Sequence, residues 1–184
     1  YNDMAAAEES RFYLEVDRYD DGAWRREFVG MILVDSLSRN DATYPTFNME
    51  AIDGMSILKE IEADDWTELL IKPIWQILHE CIIKNPVIEN IYTGTDIVLV
   101  LTSQIQVDHT DYSSLWESVA YFDHFFTRSE DVRTNWNCYR IIEEICNKFM
   151  LRVVYDDGSY YVRGIESYLE ATGAQDLFTV RKNG

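Results

Sequence analysis

The chain has 184 residues, with 33 Asp and Glu against 16 Lys and Arg, a formal net charge of -17. That length suits one large domain or two small ones with a sizeable core, and 47% hydrophobic residues exclude a disordered chain. The charge repels nucleic acid and anionic membrane, so direct nucleic-acid binding is not expected; it leaves basic partners, or imitation of DNA before a DNA-binding enzyme.

The chain opens at Tyr1 and reads as an internal piece of a longer protein. Residues 1–9 are small and acidic and fit a loop or frayed helix. From Arg11 the pattern alternates, with Phe12, Leu14 and Val16 on one face of a half-buried strand. Asp20-Asp21-Gly22 follows, then the strand-like "AWRREFVGMILVD". Ser38 to Pro45 is a polar loop by composition, and Thr46 to Ala51 alternates again. Asp53-Gly54 precedes a short helix that Asp53 can cap, with Met55, Ile57, Leu58 and Ile61 on its apolar face.

Pro73 fits the first turn of the next helix, "KPIWQILHECIIKN". Its stripe is Ile74, Ile77, Leu78, Cys81 and Ile82, and the pattern stops before Pro86. Asp96 to His109 is rich in β-branched residues and reads as a strand. "YSSLWESVAYFDHFFT" is ambiguous between core and contact surface; the chain carries twelve Tyr, eight Phe and five Trp. Asn135 can cap a helix with Cys138, Ile141, Ile142, Ile145 and Phe149 on one stripe. "LRVVYDDGSYYVRGI" then repeats the hairpin pattern around Asp156-Asp157-Gly158, and the basic tail "RKNG" reads as loose.

These elements describe an α+β fold: antiparallel β-hairpins and a small β-barrel-like sheet, with about three inserted amphipathic helices. The expected divisions are 1–65, a hairpin-rich unit ending in a short helix; 66–134, a helix, a strand and the aromatic segment; and 135–184, a helix followed by a hairpin. Cys138 and Cys146 lie eight apart on one helix, roughly 12 Å along its axis, too far to bridge. With Cys81 in a similar apolar helix, they imply reduced core thiols and an intracellular origin. No apolar run reaches the length of a membrane span.

The tetrapeptide YDDG occurs twice. Paired aspartates on an aromatic hairpin suit two-metal phosphoryl chemistry. Here Gly follows the pair, which puts the aspartates at the tip itself, and Asp-Gly between alternating runs is a strong hairpin-turn signal. The turn reading is preferred, for Asp20, Asp21, Gly22, Asp53, Gly54, Asp156, Asp157 and Gly158 alike. The pairs Asp108-His109 and Asp123-His124 offer oxygen and imidazole ligands, but without the short spacing of zinc signatures. His79 stands two residues from Cys81 on a helix, so the two face different directions. These residues read as polar loop and rim positions. Neither a G-x-S-x-G elbow nor a phosphate-binding glycine loop occurs. The expectation is no catalytic residue, no metal and no cofactor.

Two stretches together resemble tail-tip and baseplate-hub-like proteins of tailed bacteriophages, of the kind found in phages of Bacteroidetes-type hosts. The first is "YLEVDRYDDGAWRREFVGMILVDSL" with "YPTFNMEAIDGMSILKEI"; the second is "NWNCYRIIEEICNKFMLRVVYDDGSYYVRGI", with "PIWQILHECIIK" between them. The order of the motifs is more specific than any one of them. Where Met150 stands, that family often has Gly or a smaller residue. The resemblance implies a structural virion protein of the tail, made in the host cytoplasm. It also implies a ring-like homo-oligomer, as a rule a trimer, in contact with other tail proteins.

Overall fold

The computed structural model describes residues 12–40, 46–63, 71–102, 115, 118–121, 125–129, 132–164 and 177–184. The fold is α+β, with antiparallel hairpins and helices packed on one core. Strand β1 (Tyr13–Asp20) pairs antiparallel with β2 (Ala23–Asn40), which pairs on its other side with β3 (Thr46–Ile52). The loop between β1 and β2 is two residues, Asp21 (φ 48°) and Gly22 (φ 83°). Positive φ at both positions defines the mirror-image turn whose twist matches its strands, and Asp-Gly adopts it at low cost.

β2 runs 18 residues, roughly 60 Å of extended chain. It continues to Asn40 through Ser38 and Arg39, which the composition assigned to a loop; both pair with β3. Polarity there marks a solvated strand rather than a turn. Only the middle, Val29 to Ile32, is buried. Both ends project with apolar side chains in solvent: Val16, Tyr19 and Trp24 at one, Phe47 and Met49 at the other.

After β3 a 3-10 helix (Met55–Lys59) forms, with Gly54 at its N-cap in the left-handed region (φ 82°). The Asp53 carboxylate still accepts from the Met55 N–H at 3.1 Å. Leu58 is fully buried, while Met55, Ile57 and Ile61 pack partly buried around it. Short β4 (Ile71–Pro73) leads into α1 (Ile74–Ile82), with Pro73 just outside the first turn. Pro86 does not simply end the helical stretch. It opens a second helix, α2 (Pro86–Ile91), whose Asn85 cap accepts from the Val87 N–H. Proline at the first helical position loses no hydrogen bond.

Strand β5 (Ile97–Thr102) is central in a four-stranded sheet of order β11–β5–β10–β9, formed with β9 (Leu151–Asp156), β10 (Ser159–Gly164) and β11 (Leu177–Arg181). β5 and β10 are parallel; the other pairs are antiparallel. Val98 to Leu101 are all buried, as a strand covered on both faces requires. β6 (Val119–Tyr121) pairs with β4, and β7 (Phe126–Ser129) with β8 (Val132–Asn135). Within the ambiguous aromatic segment, Leu115 and Phe125 are buried.

Helix α3 (Cys138–Lys148) is capped by Asn137, not Asn135: Asn137 Oδ1 accepts from the Arg140 N–H at 2.8 Å. Asn135 is still in β8, paired with Phe126. The expected stripes of α1 and α3 form the core with β5, β10 and the middle of β2. That single cluster draws residues from all three stretches into which the sequence had been divided.

α3 ends at Phe149, and Met150 follows with φ 52° and 69% exposure. A non-glycine residue in the left-handed region costs about 1–2 kcal/mol, against about 0.5–1 kcal/mol of unfolded-state entropy added by glycine. Met150→Gly is therefore expected to stabilise the protein by about 0.5–1 kcal/mol, read as a higher urea midpoint with unchanged slope.

Candidate functional site

The second YDDG turn is built like the first. Asp156 pairs with Ser159, and Asp157 (φ 45°) and Gly158 (φ 70°) are the two loop residues. The fold brings this second turn against the stem of the first hairpin, where Gly158 meets Arg26. A bulge in β2 leaves Glu27 without a cross-strand partner, since Val16 faces Phe28 and Asp17 faces Arg26. Cross-strand neighbours share a face, so Asp17 with Arg26 and Tyr19 with Trp24 look the same way. That face turns toward the tip of the β9–β10 hairpin.

Between them lies a cleft of about 540 Å³, lined by Asp17, Trp24, Arg26, Asp96, Ile97 and Asp157 with neighbouring backbone. Arg26 is its anchor. The guanidinium reaches Glu15 at 3.3 Å and Asp96 at 3.4 Å, and lies 5.1 Å from the centre of the Tyr92 ring. Asp96 is held in turn by the Thr93 N–H at 2.7 Å. Gly158 is needed at its place twice over: its φ is positive, and a Cβ would stand 2.9 Å from Arg26 Cγ.

Behind the cleft runs a chain of tyrosine hydroxyls. Tyr92 donates to the Gly158 carbonyl at 2.7 Å, so its contact with Tyr155, also 2.7 Å, takes the Tyr155 proton. The Tyr155 oxygen accepts from the Val29 N–H at 3.0 Å, tying β9 to the middle of β2. Tyr160 donates to the Asp53 carbonyl at 2.7 Å and accepts from Asn85 Nδ2 at 2.7 Å. Burial raises all three phenols above their ordinary value, so they stay protonated and act as fixed hydrogen-bonding struts. Burial also raises the Asp53 carboxyl, opposed by the Met55 N–H.

The remaining sequence candidates fall elsewhere. Asp53 and Gly54 sit at the start of the 3-10 helix and are not among the cleft's lining residues; the Asp53 carbonyl accepts from Tyr160. Asp108, His109, Asp123 and His124 lie outside the described residues. Among the described residues, no group of three or more His, Cys, Asp or Glu stands together as a metal-binding set. Cys81 and Cys138 meet in the core; their thiol contact and then burial raise Cys81 well above its usual range, and burial pushes Cys146 up to about 11. Such thiols are protonated at neutral pH and are poor nucleophiles. No helix among the described residues is long and apolar enough to cross a membrane.

His79 is not a rim residue. It is buried on α1, where its Nε2–H donates to the Arg181 carbonyl at 2.8 Å. Burial lowers its proton affinity below the ordinary 6.5. The unfolded chain then binds that proton at higher pH than the folded chain. His79 therefore contributes a loss of stability as pH falls from 6.5 toward its lowered folded value, and none above. The drop in urea midpoint between about pH 7.5 and about pH 5.5 is expected to shrink in His79→Gln.

Arg26, Tyr92, Asp96 and Trp24 had no motif to announce them. Arg26 sits inside "AWRREF" as one of two adjacent arginines, and only the bulge at Glu27 decides which of them faces the cleft. No family model, curated protein or solved structure matches the chain.

Proposed function

We propose that the protein is a non-enzymatic structural component of a bacteriophage tail tip or baseplate hub, working as one subunit of a ring-like oligomer beside other tail proteins. The observation that carries the assembly part is β2. Its two ends carry paired strands with Val16, Tyr19, Phe47 and Met49 exposed. Strands β1 and β3 are the two edges of that sheet, and edge strands with exposed apolar side chains invite pairing with a neighbour. The tail assignment rests on the order of the sequence motifs. A ring needs one surface to meet a different surface on the next subunit, and two unlike projecting ends suit that arrangement.

The acids of the first hairpin do not form a phosphate-like array. Arg18, Arg25 and Arg26 are interleaved with them, and Arg18 pairs with Glu27 at 3.3 Å. Imitation of DNA thus gains no support from this surface.

Light scattering behind size exclusion, with negative-stain images of the same peak, is expected to show threefold or sixfold rings. Antibody labelling is expected to find the protein at the end of the tail on purified particles. Recovery from infected-cell extracts with none on particles would overturn the tail assignment, whatever the oligomeric state.

A further inference from the structure

The cleft between the stem of the first hairpin and the tip of the second presents acid and aromatic surface in a form that structural struts do not require. Among its described lining residues Arg26 is the only cation, and Asp17, Asp96 and Asp157 outnumber it. The two terminal nitrogens of Arg26 are already engaged by Glu15 and Asp96, with the guanidinium over the Tyr92 ring; its buried Nε has no hydrogen-bond partner among the described residues. Trp24 stands on the outer wall with 71% of its surface in solvent, its indole set edge-on against Tyr19 at 5.2 Å between ring centres. Ile97 adds a 40% exposed hydrocarbon wall. We propose that this cleft docks an arginine or lysine side chain presented by an extended basic segment of a partner protein.

The chemistry of the pocket selects that occupant. One wall of the cleft already holds the Arg26 guanidinium over the Tyr92 ring, paired with Asp96 and with Glu15 beside the cleft. Trp24, Asp17 and Asp157 offer the same combination one step further out, where a cation over an indole face gains most when water is displaced. The aliphatic stem of Arg or Lys covers Ile97 and Trp24 while its charged head stays with the carboxylates. A bare divalent ion would leave the aromatic wall and most of the 540 Å³ without a role. Phosphate-bearing partners are repelled by the chain's net charge of -17, which draws a basic segment in. The cleft takes such a segment whether or not the chain belongs to a tail tip.

The test uses the full chain and a fluorescent, end-blocked peptide of alternating glycine and arginine, followed by anisotropy at low ionic strength. Two double variants remove the same charge. Asp17→Asn/Asp157→Asn alters the cleft, and asparagine is well suited to the positive φ at 157. Glu143→Gln/Glu144→Gln alters an exposed face of α3. The cleft pair is expected to weaken binding roughly tenfold, Trp24→Ala roughly fivefold, and the α3 pair less than about twofold. Urea midpoints check that each variant is folded. No binding by the wild-type chain would overturn the proposal. So would equal weakening by the two charge pairs, which means diffuse attraction, or unchanged affinity in Trp24→Ala.

Discussion

Replacing Asn85 with alanine is expected to lower the unfolding free energy by about 3 kcal/mol. Asn85 is fully buried, and its amide serves three elements at once. Oδ1 accepts from the Val87 N–H at 2.9 Å and caps α2; Nδ2 donates to the Asp53 carbonyl at 2.8 Å and to Tyr160 at 2.7 Å. Alanine removes the helix cap, which leaves the Val87 N–H unpaired at about 1–3 kcal/mol, and also removes the two Nδ2 bonds to the Asp53 carbonyl and Tyr160 at roughly 1 kcal/mol each. The tight approach of Gly54 supplies an independent check. A Cβ on Gly54 would collide with the Asn85 side-chain oxygen, and the glycine φ is 82°. Gly54→Ala is therefore destabilising as well. In the double variant the collision is gone, so the two losses should sum to less than their separate values. Urea unfolding of the four proteins gives the cycle; simple additivity would mean that Asn85 and Gly54 do not act on one another.

Leu58→Ala is expected to cost about 3 kcal/mol as well, within the 2–5 kcal/mol range for deleting a buried leucine side chain. The structural consequence is different. Leu58 is the buried residue of the 3-10 helix, which packs on α1 and α3 directly after the β1–β2–β3 sheet. Its cavity would open where that sheet is fastened to the helices. Hydrogen exchange is expected to rise first in β3 and the 3-10 helix, ahead of β5 and β10. Uniform acceleration across all the strands would show that the sheet and the helical layer open together.

Asn85 also marks the boundary of what sequence reasoning can reach. Before Pro86 it reads as a stop signal, yet the same pair fits a helix start. Asn135 and Asn137 pose the same problem. Both precede an amphipathic run, and the pairing of β8 with β7 decides that Asn137 is the cap. The polar Ser38–Asn40 segment is a strand because β3 lies beside it. Long-range contacts outweighed local propensity in the last two cases, whereas at Asn85 the cap and the following proline are themselves local helix-start signals.

Features that repeat over a few residues are legible without any tertiary contact. Two Asp-Gly pairs between alternating runs placed both hairpin turns, because the required positive φ is a local steric property. The apolar stripes of α1 and α3 were legible because a helix repeats every 3.6 residues whatever it packs against. That the stem of the first hairpin faces the tip of the second depends on contacts between distant residues. Arg26 and Asp96 are 70 residues apart, and Tyr155 meets Val29 across 126. No local rule links such positions. A single extra residue in β2, the bulge at Glu27, puts Arg26 rather than Arg25 on the cleft-facing side, and that choice exists only once β1 and β2 are paired.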